Sequence, residues 1–141
     1  MSAFTLDPRL EADSRFVADG PLSQLRLMDD TRFPWLVLVP RVAGAVEWID
    51  LEGAAQRLLL AELNQASALL KAEPGVEKLN LGALGNVVSQ LHVHVVGRHA
   101  GDAAWPGPVW GSGAPVRHCA EALATRVAHW QGLAAATPLL P

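Results

Sequence analysis

The chain has a single cysteine, Cys119, in 141 residues, so neither an internal disulfide nor a cysteine-rich zinc cluster is available to it. Positive charge is also short: 11 Lys and Arg face 14 Asp and Glu, a formal net charge of −3 with His neutral. Such a surface has no long-range field that gathers polyanions, which argues against a general binder of nucleic acid or anionic membrane. Unbroken apolar runs end after a few residues, as at Leu58 to Ala61, far short of a membrane span. The opening MSAFTLDPRL lacks the basic-then-apolar order of a secretory leader. The expectation is a soluble protein of a reducing compartment, the cytoplasm. Repeats, charge blocks and low-complexity linkers are missing too, so one domain over residues 1–141 is expected.

What is there suits a packed core. Half the residues are hydrophobic and 18% are charged, the balance of a folded rather than a solvating chain. Twelve glycines and 10 prolines imply many turns, and five tryptophans are anchors for a core or a subunit interface. Asp7-Pro8 reads as a helix start, predicting a helix over Pro8 to Ala18 that stops near Gly20-Pro21. Strands are predicted at Leu22 to Asp29, Trp35 to Val39, Val76 to Leu81 and Val88 to Gly97. Between the second and third, Asp50 is expected to cap a long helix from Leu51 to Lys71, whose apolar residues recur at helical spacing until Pro74-Gly75. A loop over Gly101 to Ala114 and a last helix from Pro115 to about Leu133 complete the chain. Strands that neighbour one another and helices that are few and separate imply an α+β fold with an antiparallel sheet.

Residues 89–98 read S-Q-L-H-V-H-V-V-G-R. On a strand, Gln90, His92 and His94 share one face while Leu91, Val93 and Val95 take the other, with successive same-face residues about 7 Å apart. Such a row suits a phosphate, a metal or a nucleophile. The competing reading is a solvated polar strand face, because 5 histidines produce about 0.2 His-x-His pairs by chance in a chain this long. A zinc site has a weaker case, since three or four convergent ligands are needed and no spacing supplies them.

The wider context carries more. The segment L-N-L-G-A-L-G-N-V-V-S-Q-L-H-V-H-V-V-G-R, the following D-A-A-W-P-G-P-V-W-G and the upstream L-M-D-D-T-R-F-P-W-L-V-L-V-P-R together resemble the histidine triad (HIT) family of nucleotide hydrolases and transferases. The resemblance covers about residues 20–111, leaving a C-terminal helical extension over about 115–135. It implies a HIT-like fold of about five antiparallel strands with one long helix packed on them. It implies that His92 is the nucleophile that forms a covalent nucleotidyl-histidine, and that His94 binds phosphate and orients the site. Gln90 stands where the family has its first histidine. Glutamine keeps a donor and an acceptor but cannot change charge near neutral pH.

By the same resemblance Asn80 and Asn86 are phosphate-side polar residues, Asp29 meets the ribose hydroxyls, and Leu27 walls the base. Each has a plainer reading: turn chemistry for the asparagines and Asp29, core packing for Leu27. Val87 stands five residues before the nucleophile, where most relatives carry a hydroxyl. The implied substrate is a nucleoside phosphoramidate or dinucleoside polyphosphate with a purine base, handled without metal or other cofactor, by a protein that is commonly a homodimer. Rival expectations are a nucleotide-binding module with weakened catalysis and a histidine-based metal protein. Trp105 and Trp110 are expected to pack within their own domain. Arg98 and His99 are open between reaching phosphate and lying on the surface, Arg32 and Arg41 are read as solvated, and His118 and His129 as structural or exposed positions on the last helix.

Overall fold

The computed structural model describes residues 3–137; residues 1–2 and 138–141 of the expected domain lie outside the described residues. Five strands form one antiparallel sheet: β1 (Ser14–Asp19), β2 (Ser23–Met28), β3 (Trp35–Pro40), β4 (Lys78–Gly82) and β5 (Val93–Arg98). Their order across the sheet is β1-β2-β3-β5-β4. Helix α1 (Pro8–Asp13) precedes the sheet, α2 (Gly53–Lys71) lies between β3 and β4, and α3 (Ala120–Ala136) ends the chain. The α+β architecture, the antiparallel sheet and the long helix are as expected.

β3 and β5 are the centre. Every residue of both is buried, so each is covered on two faces; β3 reads as a continuous apolar run, while β5 carries His94 and Arg98 beside its valines. One face carries Leu25, Leu27, Leu36, Leu38, Val93 and Val95, packed under Leu59, Leu63, Ala66 and Leu70 of α2 and Leu123, Trp130 and Ala134 of α3. The spacing of the α2 residues keeps them on one stripe. Glu62, fully buried on the same helix, accepts hydrogen bonds from the N–H groups of Leu22 and Ser23 at 3.0 and 2.9 Å, tying α2 to the start of β2. The opposite face carries an aromatic cluster of Phe33, Trp35, Val96 and Val109, with Met28 and Trp110 against it. Across β3 and β5, His94 pairs with Val37 and Trp35 with Val96, so His94 belongs to this second face.

Small shifts of one to three residues aside, four elements differ from expectation. The first helix ends at Asp13 and Ser14–Asp19 becomes a strand, because pairing with β2 outweighs the local helix signal. That strand lacks alternation and slips register between Phe16 and Ala18, so its period was not visible. Asp50 does not cap α2; its carboxylate accepts from the N–H groups of Val46 and Glu47, closing the short 3-10 turn Trp48–Asp50. β5 begins at Val93 rather than Val88, so Gln90 and His92 precede the strand. The last helix starts at Ala120, because residues 115–119 run extended against the β2–β3 connection: Thr31 N–H donates to Val116 O at 2.7 Å.

Candidate active site

The aromatic face of the sheet opens into a cavity of about 630 Å³. His92, His94, Trp35, Val109, Trp110 and residues 84–88 are among its lining residues. Trp110 reaches His94 because residue 82 is glycine: a Cβ there would lie 2.9 Å from the indole. The rings of Trp35 and Trp110 stand edge-on to His94, at 5.5 and 5.7 Å between centroids, and His92 stands edge-on at 4.8 Å.

The two histidines are set to opposite tautomers by their neighbours. His92 Nδ1 lies 2.6 Å from the Gln90 carbonyl oxygen, which only accepts, so Nδ1 carries the proton and Nε2 presents its lone pair. His94 Nδ1 receives the indole N–H of Trp35 at 2.9 Å, so that nitrogen is the acceptor and the proton of the neutral ring resides on Nε2. Burial, helped by the repulsion that two protonated rings at His92 and His94 would feel, pushes the His94 pKa down to about 3, so the ring is neutral at physiological pH. The cavity thus offers one nitrogen nucleophile beside one N–H donor. Among the described residues no group of three or more His, Cys, Asp or Glu is placed to hold a metal ion.

Asp29, also in the cavity lining, is 6% exposed, and one of its oxygens accepts from both the backbone N–H and Nδ1 of His118, at 2.9 and 2.8 Å. Burial pushes its carboxyl up, but the His118 hydrogen bonds and the nearby charges of His118 and Arg117 outweigh this and hold it below the usual carboxylate range. His118 is therefore not an exposed helix residue. It lies ahead of α3 and anchors Asp29, while its neighbour Arg117 lines the cavity and pairs with Asp13 of α1 at 2.6 Å.

Of the other residues singled out in the sequence, Asn86 lines the cavity. Asn80 lies on the same sheet face but its Oδ1 accepts from Arg98 at 2.8 Å, away from the cavity lining. Leu27 sits in the aliphatic core, beside a smaller second cavity. Gln90 turns its side chain away from the row, toward residues 5–7. Arg98 neither reaches the cavity nor lies on the surface. It is 2% exposed, paired with Asp102 at 2.7 Å and bonded to Gly107 O at 2.9 Å, and it pins the loop that carries Trp110. His99 is exposed. Arg32 lines the cavity, paired with Asp30 at 2.8 Å, and Arg41 pairs with Asp19 at the surface. Trp105 is 40% exposed, with the Arg98 guanidinium 5.6 Å from its ring.

Sequence reasoning missed Leu10, Asp13, Met28 and Arg117 as lining residues. The adjacent Arg117-His118 pair after a Gly-rich loop was the one local signal available for the C-terminal contribution.

A HIT domain family model matches residues 9–101. Three solved structures cover nearly the whole chain. A histidine triad protein of Sinorhizobium meliloti is 47% identical, with TM-score 0.87 over 92% of this chain and 96% of that one. One from Bradyrhizobium japonicum is 43% identical, with TM-score 0.87 over 93% and 98%. One from Marinobacter aquaeolei is 42% identical, with TM-score 0.89 over 94% and 96%. The NitFhit protein of C. elegans shares the fold at 19% identity and TM-score 0.58, across 84% of this chain and 27% of that one. No curated protein matches the chain.

Proposed function

Because the chain belongs to the histidine triad family, we propose that it is a nucleotide hydrolase or nucleotidyl transferase in which His92 attacks the α-phosphorus of a purine nucleoside phosphoramidate. The observation that carries this reading is the pair of opposite tautomers. His92 Nε2 has a lone pair without needing a separate base, because the Gln90 carbonyl already holds the Nδ1 proton. In the first step the Nε2–P bond forms and the P–N bond to the leaving amine breaks. The amine takes its proton from water, since Val87 has none to give where most relatives carry a hydroxyl. The hydroxide left behind takes up the proton released when a second water attacks in the next step. Water then attacks the phosphorus, the Nε2–P bond breaks, and a nucleoside monophosphate leaves. His94 Nε2–H donates to a phosphoryl oxygen as charge develops, and a donor already in place contributes most in a water-poor site. Asp29 accepts from the ribose hydroxyls, and Trp35, Val109, Trp110 and Met28 supply the apolar surface for the base.

Charge favours a single-phosphate substrate over a dinucleoside polyphosphate. The ionised residues lining the cavity are Asp13, Asp29, Asp30, Arg32 and Arg117, and both arginines are already paired with aspartates. A polyphosphate chain would find no unpaired cation among these lining residues. The test is turnover of a purine nucleoside phosphoramidate against a dinucleoside polyphosphate, in wild type and His92→Ala. Faster turnover of the phosphoramidate, lost in the variant, supports the proposal; turnover that survives His92→Ala contradicts it. Nucleotide binding without turnover of either compound would instead favour a weakened binding module, the reading that Gln90 and Val87 motivate. The reading extends to a cytoplasmic homodimer paired through β4 and α2, where Leu81 and Leu60 are 50% and 54% exposed.

A further inference from the structure

Gln90 stands where the resemblance expects a histidine, yet its side chain is fully engaged elsewhere. Oε1 accepts from Asp7 N–H at 2.9 Å, and Nε2 donates to the Thr5 carbonyl at 2.8 Å. Residues 5 and 7 flank Leu6, so the amide grips the backbone around Leu6 with one donor and one acceptor, as a residue of a neighbouring parallel strand would. A carboxamide presents its N–H and C=O side by side. A neutral imidazole presents its donor and acceptor on diverging edges, so a histidine cannot make this fork.

The gripped segment leads into a helix that lines the cavity. Asp7 caps α1 by accepting from Arg9 N–H at 2.8 Å, and Leu10 and Asp13 of that helix line the cavity. The main chain of Gln90 faces the other way, its carbonyl receiving the His92 Nδ1 proton. The same peptide unit is held on its other edge by Leu91 N–H donating to Ala45 O at 3.0 Å. Residue 90 precedes β5 and has no sheet pairing, so these contacts are what orient it.

We infer that Gln90 is a positioning residue: its amide fastens the N-terminal arm to the segment carrying the nucleophile, and the backbone thus fixed holds His92 in the Nδ1–H tautomer. The glutamine is then the residue this site requires. Its kinetic consequence rests on the function proposed above; the tautomer and the fastened arm do not.

The test uses the full chain and needs no ligand for its first two readouts. Hydrogen exchange of the wild type is expected to show the Asp7 amide protected, and ring-nitrogen NMR to show His92 with its proton on Nδ1. Gln90→Ala and Gln90→His are both expected to release the Asp7 amide and to mix the two His92 tautomers. With a purine nucleoside phosphoramidate as substrate, both variants are expected to lower kcat about tenfold with KM changed less than about twofold, because a small misplacement of an attacking atom acts on the chemical step. Gln90→Glu keeps the acceptor for Asp7 and loses the donor to Thr5, so it gives a smaller tautomer shift and carries the test if the larger changes prevent folding. A freely exchanging Asp7 amide in the wild type, an unchanged His92 tautomer in the variants, or a higher kcat in Gln90→His each overturns the inference. If wild type and variants all lack turnover while exchange and tautomer behave as expected, the function proposed above fails and the positioning role stands.

Discussion

The two faces of the sheet are built from the same strands and do different work. The face under α2 and α3 is largely aliphatic: Leu25, Leu36, Leu38 and Val95 are completely buried among leucines, alanines and Trp130, and the buried Glu62 ties α2 to the start of β2. The face that carries the cavity places His94 between Trp35 and Trp110, with His92 beside it. Non-directional burial suffices on the first face, and side chains of similar shape can replace one another there at modest cost. On the second face the Nδ1 atoms of His92 and His94 each have one partner that sets the tautomer of the ring, so a change of a single atom alters chemistry before it alters folding.

The sharpest way to separate the faces is a pair of truncations. His92→Ala is expected to lower phosphoramidate turnover about 1,000-fold or more while leaving thermal stability within a few degrees of wild type. Leu36→Ala is expected to do the reverse, costing about 3 kcal/mol in denaturant unfolding while the folded fraction keeps its kcat. Equal losses of stability in both variants would erase the distinction.

The next effect reads the cavity face through pH. His94 has a folded pKa near 3 against an ordinary 6.5, so between those values the unfolded chain binds a proton that the folded chain does not. Stability therefore falls as pH drops below about 6.5, by roughly 2 kcal/mol at pH 5 from this group. The comparison is denaturant unfolding at pH 7.5 and pH 5 in wild type and His94→Gln, with the variant expected to lose that increment of pH dependence. Below about pH 3.8 a second loss begins. Asp102, held by Arg98 at about 2, contributes stability above its ordinary pKa of 3.8 that disappears as pH falls through 2.

Smaller effects test the ends of the site. Asp29→Asn removes a charge-assisted acceptor and is expected to raise KM about tenfold with little change in kcat, checked by steady-state kinetics. Trp35→Phe keeps the ring edge against His94 and deletes the indole donor. It is expected to cost about 1 kcal/mol and to let the His94 proton appear on Nδ1 in ring-nitrogen NMR.

The same comparison explains how much was legible in the sequence. The aliphatic face announces itself through periodicity: the leucine stripe of α2 and the buried run of β3 need only local spacing to be read. β1 escaped because Phe16 is exposed and the register slips beside it, so its pairing with β2 left no alternation in the chain. On the cavity face the His92 and His94 pair was readable as a motif, but what sets each ring was not. The Trp35 bond to His94 joins residues 59 apart and exists only because β5 crosses over to lie beside β3. The Asp29 bond to His118 spans 89 positions and depends on an extended segment that the sequence pattern assigned to a helix. Arg98 and Asp102 are four residues apart, yet their burial beneath Trp105 and Phe33 follows from how the loop folds, which spacing alone does not contain.

The central claim is that His92 Nε2 attacks phosphorus and carries the nucleotide covalently. The direct measurement is a rapid acid-free quench after mixing the protein with a purine nucleoside phosphoramidate labelled at its phosphorus. The account predicts acid-labile label on the wild-type chain, mapped to His92 and absent from His92→Ala. Turnover in the wild type with no label on the protein, or label retained by His92→Ala, would contradict it.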